Sequence, residues 1–175
     1  MIVLGIDPGT ANTGYGVVQN EGSRLIALDG GVIATKSDVE PEIRLVTIFD
    51  RLVELFDEYR PEVLAIEDLY FGANVRSAFA VGQSRGVALL AAGQRGTPCH
   101  SYTPQQIKSA VCGSGNADKD QVQRMVAQLL GLDSPPKPDH AADALAVAIC
   151  EINRAPYAQA VNRGLAAAIA KATAA

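Results

Sequence analysis

Ile2-Val3-Leu4-Gly5-Ile6-Asp7-Pro8-Gly9-Thr10-Ala11-Asn12-Thr13-Gly14-Tyr15-Gly16-Val17-Val18 is the stretch whose reading decides the fold. Residues 2–6 are apolar apart from one glycine, the composition of a buried strand, and the run stops at Asp7. Pro8 and Gly9 turn the chain, and residues 13–18 read as a second strand. A third strand covers 25–34, after a turn at 20–23. Connections this short make antiparallel neighbours, because a parallel return needs a crossover.

Downstream the pattern changes. Pro41 suits the first turn of a helix, and Ile43, Val46, Phe49, Leu52, Val53 and Phe56 recur at roughly helical spacing until Tyr59, before Pro61. Residues 63–66 form a short apolar strand that runs into Glu67 and Asp68. A helix is expected over 74–94, with Gly82 and Gly86 on one face where another backbone could approach closely. Residues 98–102 read as a fifth strand. Thr103 caps a helix over 105–111 that opens with Pro104, and residues 113–116 are a loop. A helix follows over 119–130, then a stiff Pro-rich link at 134–138, then a last helix capped by Asp139 and running to about 152. Three antiparallel strands followed by strand–helix alternation predict an α/β fold on one mixed sheet with helices on both faces. Residues 1–154 make the domain; residues 155–175, ten of them alanine, are expected to be a weakly helical or mobile tail.

Composition narrows the classes. With 175 residues and 48% hydrophobic content, the chain suits one domain with a substantial core. Disordered, collagen-like and disulfide-scaffold readings are poor. A two-domain actin-like or sugar-kinase ATPase needs a longer chain. Cys99, Cys112 and Cys150 are odd in number and form no CxxC pair, which argues against a disulfide framework or structural zinc and for a reducing cytoplasm. The opening run reads as a strand rather than a signal peptide. The apolar stretch 141–149 holds Asp143 and is too short to span a bilayer, so no membrane partner is expected. Net charge is -4, but residues 1–59 carry ten acids against four bases, and residues 60–130 seven bases against five acids. Arg76, Arg85, Arg95, Lys108, Lys119 and Arg124 fall in that middle third. On charge alone they read as an ordinary solvated surface; a nucleic-acid face is the sharper alternative.

Asp7 and Glu67 each end an apolar strand, the place where open sheets build sites. If those strands are parallel neighbours, the carboxylates meet, and like charges together need an offsetting cation. A hard divalent ion with oxygen ligands fits that need. His140 and Asp143, three apart, share a helix face, and Asp139 nearly aligns with Asp143. Asp139 also has a bland role as a helix cap. Asp143 stands among alanines, leucine and valine; its bland role is a hydrogen bond or salt bridge to the core. Together these groups suit two-metal phosphodiester hydrolysis, with His140 as ligand or general base. The turn at 7–10 also resembles the phosphate-binding turn of actin-like ATPases. There is no GxxxxGK[ST] sequence, and Gly5, Gly9, Gly14 and Gly16 do not make a GxGxxG array, so P-loop and nicotinamide enzymes are poor readings.

The ordered set of motifs resembles the RuvC family of bacterial Holliday junction resolvases. The matching stretches are Gly5-Ile6-Asp7-Pro8-Gly9-Thr10, Thr13-Gly14-Tyr15-Gly16, Ala65-Ile66-Glu67, Gly82-Gln83 with Arg85-Gly86, Gln105-Gln106-Ile107-Lys108, Asp118-Lys119 with Gln121-Val122-Gln123, and His140-Ala141-Ala142-Asp143-Ala144-Leu145-Ala146. The likeness runs from residue 2 to about 154. It implies an RNase H-like fold with a five-stranded mixed sheet. It also implies a homodimer that cuts paired, symmetric strands of four-way junction DNA with Mg²⁺ or Mn²⁺, two ions per site. The products implied are 5′-phosphate and 3′-hydroxyl ends, made in the cytoplasm on nucleoid DNA in recombination and repair. The RuvA and RuvB branch-migration proteins are the implied partners. The family's four acidic positions fall on Asp7, Glu67, His140 and Asp143. His140 stands where Asp is common, and Asp139 is a candidate to compensate. The junction-centre aromatic falls on Tyr70, with Phe71 beside it, and the functional lysines fall on Lys108 and Lys119. Arg76 and Arg85 are added as DNA contacts from local charge alone. The expected dimer contact is the helix over 74–94. Three rivals differ in outcome: an RNase H-like nuclease acting on RNA, a branched-DNA binder that does not cut, and a nucleotide-phosphate enzyme built on the turn at 7–10.

Overall fold

β1 (Ile2–Asp7) lies at the centre of the sheet, where Val3, Leu4 and Ile6 are fully buried. The computed structural model describes the backbone of residues 1–68 and 75–154 and the side chains of residues 1–68 and 78–154. β1 pairs antiparallel with β2 (Asn12–Glu21), which pairs antiparallel with β3 (Arg24–Ala34). On its other side β1 pairs in parallel with β4 (Val63–Glu67), and β4 with β5 (Cys99–Tyr102). The order β3-β2-β1-β4-β5 is the mixed sheet expected from three tight strands followed by crossovers.

The helices are α1 (Pro41–Tyr59), α2 (Val75–Gly93), α3 (Pro104–Cys112), α4 (Lys119–Leu130) and α5, residues 139–154. Strand periodicity divides them between two faces. Leu4, Ile6, Leu64 and Ile66 pack with Ile48, Leu52 and Leu55 of α1 and with Ala88, Ala91 and Ala92 of α2. Val3, Val18 and Ala65 pack with Ile107 and Val111 of α3, Val122 and Val126 of α4, and Leu145 to Cys150 of α5. Local chemistry sets the helix starts. Thr103 and Gln106 form a reciprocal capping box at α3, and the Asp118 carboxylate accepts from the Gln121 N–H at 2.7 Å at α4.

Within the chain, no described residue makes a close backbone approach at Gly86. A Cβ on Gly86 would meet nothing within 4 Å. It is α5 that comes close, crossing the paired residues Gly5 and Gly16 and then Gly14. A Cβ on Gly5 would stand 2.1 Å from the Ala144 carbonyl oxygen, and one on Gly14 2.1 Å from that of His140. One on Gly16 would meet the Leu145 backbone nitrogen at 2.8 Å. Ala141, Ala142, Ala144, Ala146 and Ala148, all buried, supply the thin side of the helix. Small residues on both partners thus press the start of α5 onto the ends of β1 and β2. That contact sets where His140 and Asp143 stand.

Among the described residues no helix is long and apolar enough to cross a membrane. The three cysteines are free thiols. The expected tail, 155–175, lies outside the described residues.

Candidate active site

The parallel register Ile6↔Ile66 makes Asp7 and Glu67 the next side chains on adjacent strands, and their carboxyl groups lie near enough for the charge of Asp7 to raise Glu67. α5 brings its first turn over them. The His140 Nδ1 lies 2.7 Å from Asp7 Oδ2. One ligating atom each from Asp7, His140 and Asp143 fall within 4.8 Å of one another, a spacing that a single ion could bridge. Glu67 stands beside this triplet through Asp7 rather than within it. Thr13 fixes the intervening turn. Its hydroxyl donates to the Gly9 carbonyl at 2.5 Å and lies 3.1 Å from the Ser84 hydroxyl of α2. Both residues are fully buried. Neither was singled out from the sequence as a site residue, because their contact joins elements 71 residues apart.

The electrostatics are those of too many carboxylates for the donors present. Burial pushes the Asp7 carboxyl up, against the pull of His140 and Lys119. Burial, then the charges of Asp7 and Asp143, push Glu67 up to about 7. Burial also raises Asp143, with Lys119 opposing. Partly buried acids crowded together resist ionising unless a cation offsets their charge. The donor set, carboxylate oxygens with one imidazole nitrogen, fits a divalent metal ion.

Lys119, the first residue of α4, reaches two carboxylates of α5. Its Nζ stands 3.0 Å from Asp139 Oδ2 and 3.5 Å from Asp143 Oδ2. Asp139 is 61% exposed and is not one of the three clustered ligating groups. A cleft of about 270 Å³ opens between Glu67, Lys108, Lys119 and Asp143. Lys108 therefore faces the acids from α3, and its charge pulls against the upward shift of Glu67.

Arg85 occupies a different setting from the one its charge suggested. Its guanidinium donates to the Glu67 carbonyl at 3.2 Å and to the Ser101 hydroxyl at 2.7 Å, and it lies 3.7 Å from the Asp68 carboxylate. Only 18% of its side chain is exposed. It ties the end of β4 to β5 and α2. Tyr70 and Phe71 lie outside the described residues, as does the side chain of Arg76.

A sequence model of the crossover junction endodeoxyribonuclease RuvC family matches residues 3–151. The chain belongs to the RuvC family. A RuvC from Moorella thermoacetica is 50% identical over 159 residues, covering 91% of this chain and 95% of its own. The RuvC structure from Thermus thermophilus superposes with a TM-score of 0.85 at 38% identity, covering 90% of this chain and 97% of that one. The same organism's RuvC in complex with a Holliday junction substrate gives a TM-score of 0.83 at 36% identity, covering 90% and 96%. The RuvC match takes in every element from β1 to all but the last residues of α5, and with them Asp7, Glu67, His140 and Asp143. The RNase H-like fold expected from the motifs is the RuvC fold, with its five-stranded mixed sheet.

Proposed function

We propose that this chain is a structure-specific endonuclease that resolves four-way DNA junctions by metal-dependent phosphodiester hydrolysis. The observation that carries the reading is the convergence of Asp7, His140 and Asp143 within 4.8 Å, with Glu67 beside Asp7 at the end of the neighbouring strand. Asp7, Glu67, His140 and Asp143 hold divalent ions, Mg²⁺ or Mn²⁺, two per site. Such ions supply a nucleophilic water at neutral pH and charge to stabilise the leaving oxygen.

The chain's own groups have separate tasks. Asp7 is the shared group, touching Glu67 on one side and His140 on the other. An imidazole that donates through Nδ1 to Asp7 keeps Nε2 as an acceptor, free to ligate or to take a proton from the attacking water. His140 can fill the family's acidic position on those terms. Lys108 and Lys119 flank the cleft from α3 and α4 and meet the DNA phosphates. Arg76 is a further phosphate contact. Arg85 acts on DNA by holding the end of β4 rather than by reaching out from it. Tyr70 or Phe71 stacks on an unpaired base at the crossover.

A junction with two strands to cut needs two sites, so the working form is a homodimer. α2 supports this, since Phe79, Leu89 and Leu90 are exposed and Gly86 has open space above it. The two nicks are symmetric and leave 5′-phosphate and 3′-hydroxyl ends. RuvA and RuvB are the partners, and the nucleoid in the cytoplasm is the place of action. Residues 1–154 are the nuclease domain.

A labelled synthetic four-way junction, incubated with the protein and Mg²⁺ or Mn²⁺, tests the reading. Paired nicks on the junction, absent on linear duplex and on RNA and lost in Asp7→Asn, are expected. Junction binding without a nick in either metal would overturn it in favour of a non-cutting binder.

A further inference from the structure

Lys119 sits where a cation at Asp143 would have to compete with it. Its ammonium is shared between Asp143, 28% exposed and one of the clustered acids, and Asp139, which is exposed and outside the cluster. The contact to Asp139 is the shorter, 3.0 Å against 3.5 Å. Asp139 is itself held to α4 by the Lys119 ammonium at 3.0 Å, and Gln123 of the same helix helps to keep its carboxyl below the usual range. Those two residues are four apart and so share a face of α4. Asp139 also opens α5, where a negative charge is favoured by the helix dipole, so its place is fixed from both helices.

We propose that Asp139 is a positioning residue that acts through Lys119, drawing the ammonium off Asp143 so that a divalent ion can take its place. This inference rests on the metal-binding reading of the same site. Two carboxylates on one face of α5 offer Lys119 two stations. At Asp143 the ammonium neutralises the site and obstructs the ion. At Asp139 it remains at the cleft rim, still within reach of a phosphate but clear of the clustered ligands. An ion entering at Asp143 repels the ammonium, and Asp139 supplies the site to which it retreats. With Asp139 neutralised, Lys119 keeps one carboxylate partner of the two, the one the ion needs. The four-residue spacing of Asp139 and Asp143 is what puts both stations within one lysine's reach. Asp139 thus assists the site without contributing a ligand to it.

The test is Mn²⁺ binding to the full chain without DNA, followed by the loss of the free-ion paramagnetic resonance signal. Four proteins are compared: wild type, Asp139→Asn, Lys119→Met and the double variant. Asp139→Asn should weaken binding about two- to five-fold, the range of an exposed ion pair, and Lys119→Met should tighten it by a similar factor. In the Lys119→Met background, Asp139→Asn should change nothing, since the group it acts through is gone. Asp139→Glu, which keeps the charge, should bind nearly as wild type does. An unchanged affinity in Asp139→Asn would overturn the proposal. So would a loss that persists in the double variant, because that is the signature of Asp139 acting by its own charge or as a ligand. If wild type and Asp7→Asn both fail to bind Mn²⁺, the metal reading itself falls, a result distinct from the other two.

Discussion

α5 contributes to two clusters that each pair an acid with a histidine, and they differ in the balance of carboxylates to donors. At its start, Asp7, Glu67 and Asp143 share one imidazole and one ammonium from the flanking helix. Three turns later Glu151, only 3% exposed, accepts a hydrogen bond from the Tyr102 hydroxyl at 2.5 Å and pairs with His100 Nδ1 at 2.9 Å. Both clusters join a buried acid of α5 or β1 to a histidine. The second has one carboxylate and two donors, so its polar atoms are satisfied within the protein. The first has more carboxylates than the fold can satisfy, and burial pushes Asp7, Glu67 and Asp143 upward together. A histidine beside an acid does not by itself mark a site. An excess of charge that only an outside cation can offset does.

The contrast can be broken by substitution. Asp7→Asn removes the group common to both sides of the first cluster. Junction cleavage should fall about 10³-fold or more, the several kcal/mol that metal-supplied charge stabilisation provides. Thermal unfolding of the ion-free variant should occur at the wild-type temperature or higher, since repulsion has been relieved. A coincident large loss of stability would mean that Asp7 is a structural acid like Glu151. Gly14→Ala places a methyl against the His140 carbonyl. The start of α5 must shift, at about 3 kcal/mol or more, and cleavage should be lost with it. Denaturant unfolding and a cleavage assay on the folded fraction separate the two effects.

Protonation sharpens the same comparison. The folded pKa of Glu67 is about 7, above its ordinary 4.5, so in the ion-free protein the folded state holds this proton more tightly than the unfolded chain does. Its contribution to stability is therefore full below pH 4.5 and is lost as pH rises through about 7. Ion-free wild type should lose up to about 3 kcal/mol over that window relative to Glu67→Gln. Equal pH slopes in the two proteins would show that Glu67 is not under this pressure. Glu151→Gln is the smallest change. It should cost about 1–2 kcal/mol in stability, from a weakened buried hydrogen-bond pair, and leave cleavage per folded molecule unaltered.

Much of this was legible before any coordinates. The antiparallel pairing of the first three strands followed from connection lengths, because 8–11 and 22–23 are too short for a parallel return. Asp7 and Glu67 were legible as strand ends, and a parallel pairing was enough to join them. His140 and Asp143 were legible from helical spacing. What escaped was set by long-range contact. The glycines under α5 carry no signal of their own until the helix is laid across them, and so attention went to Gly86, whose Cβ position is open. Arg85 looked like a surface base and is spent on Glu67, Ser101 and Asp68. The Glu151 cluster joins residues about fifty positions apart, beyond any periodicity in the sequence. Lys119 was marked as a phosphate contact, but its grip on Asp139 and Asp143 depends on how α4 meets α5.

Anomalous diffraction from crystals of the protein grown with Mn²⁺ tests the central claim most directly. The account predicts a manganese peak at about 2.0–2.3 Å from carboxylate oxygens of Asp7 and Asp143, with Lys119 moved off Asp143 and no peak at Glu151. A structure saturated with Mn²⁺ that shows no ion between Asp7 and Asp143, or shows Lys119 still lodged on Asp143, would contradict it.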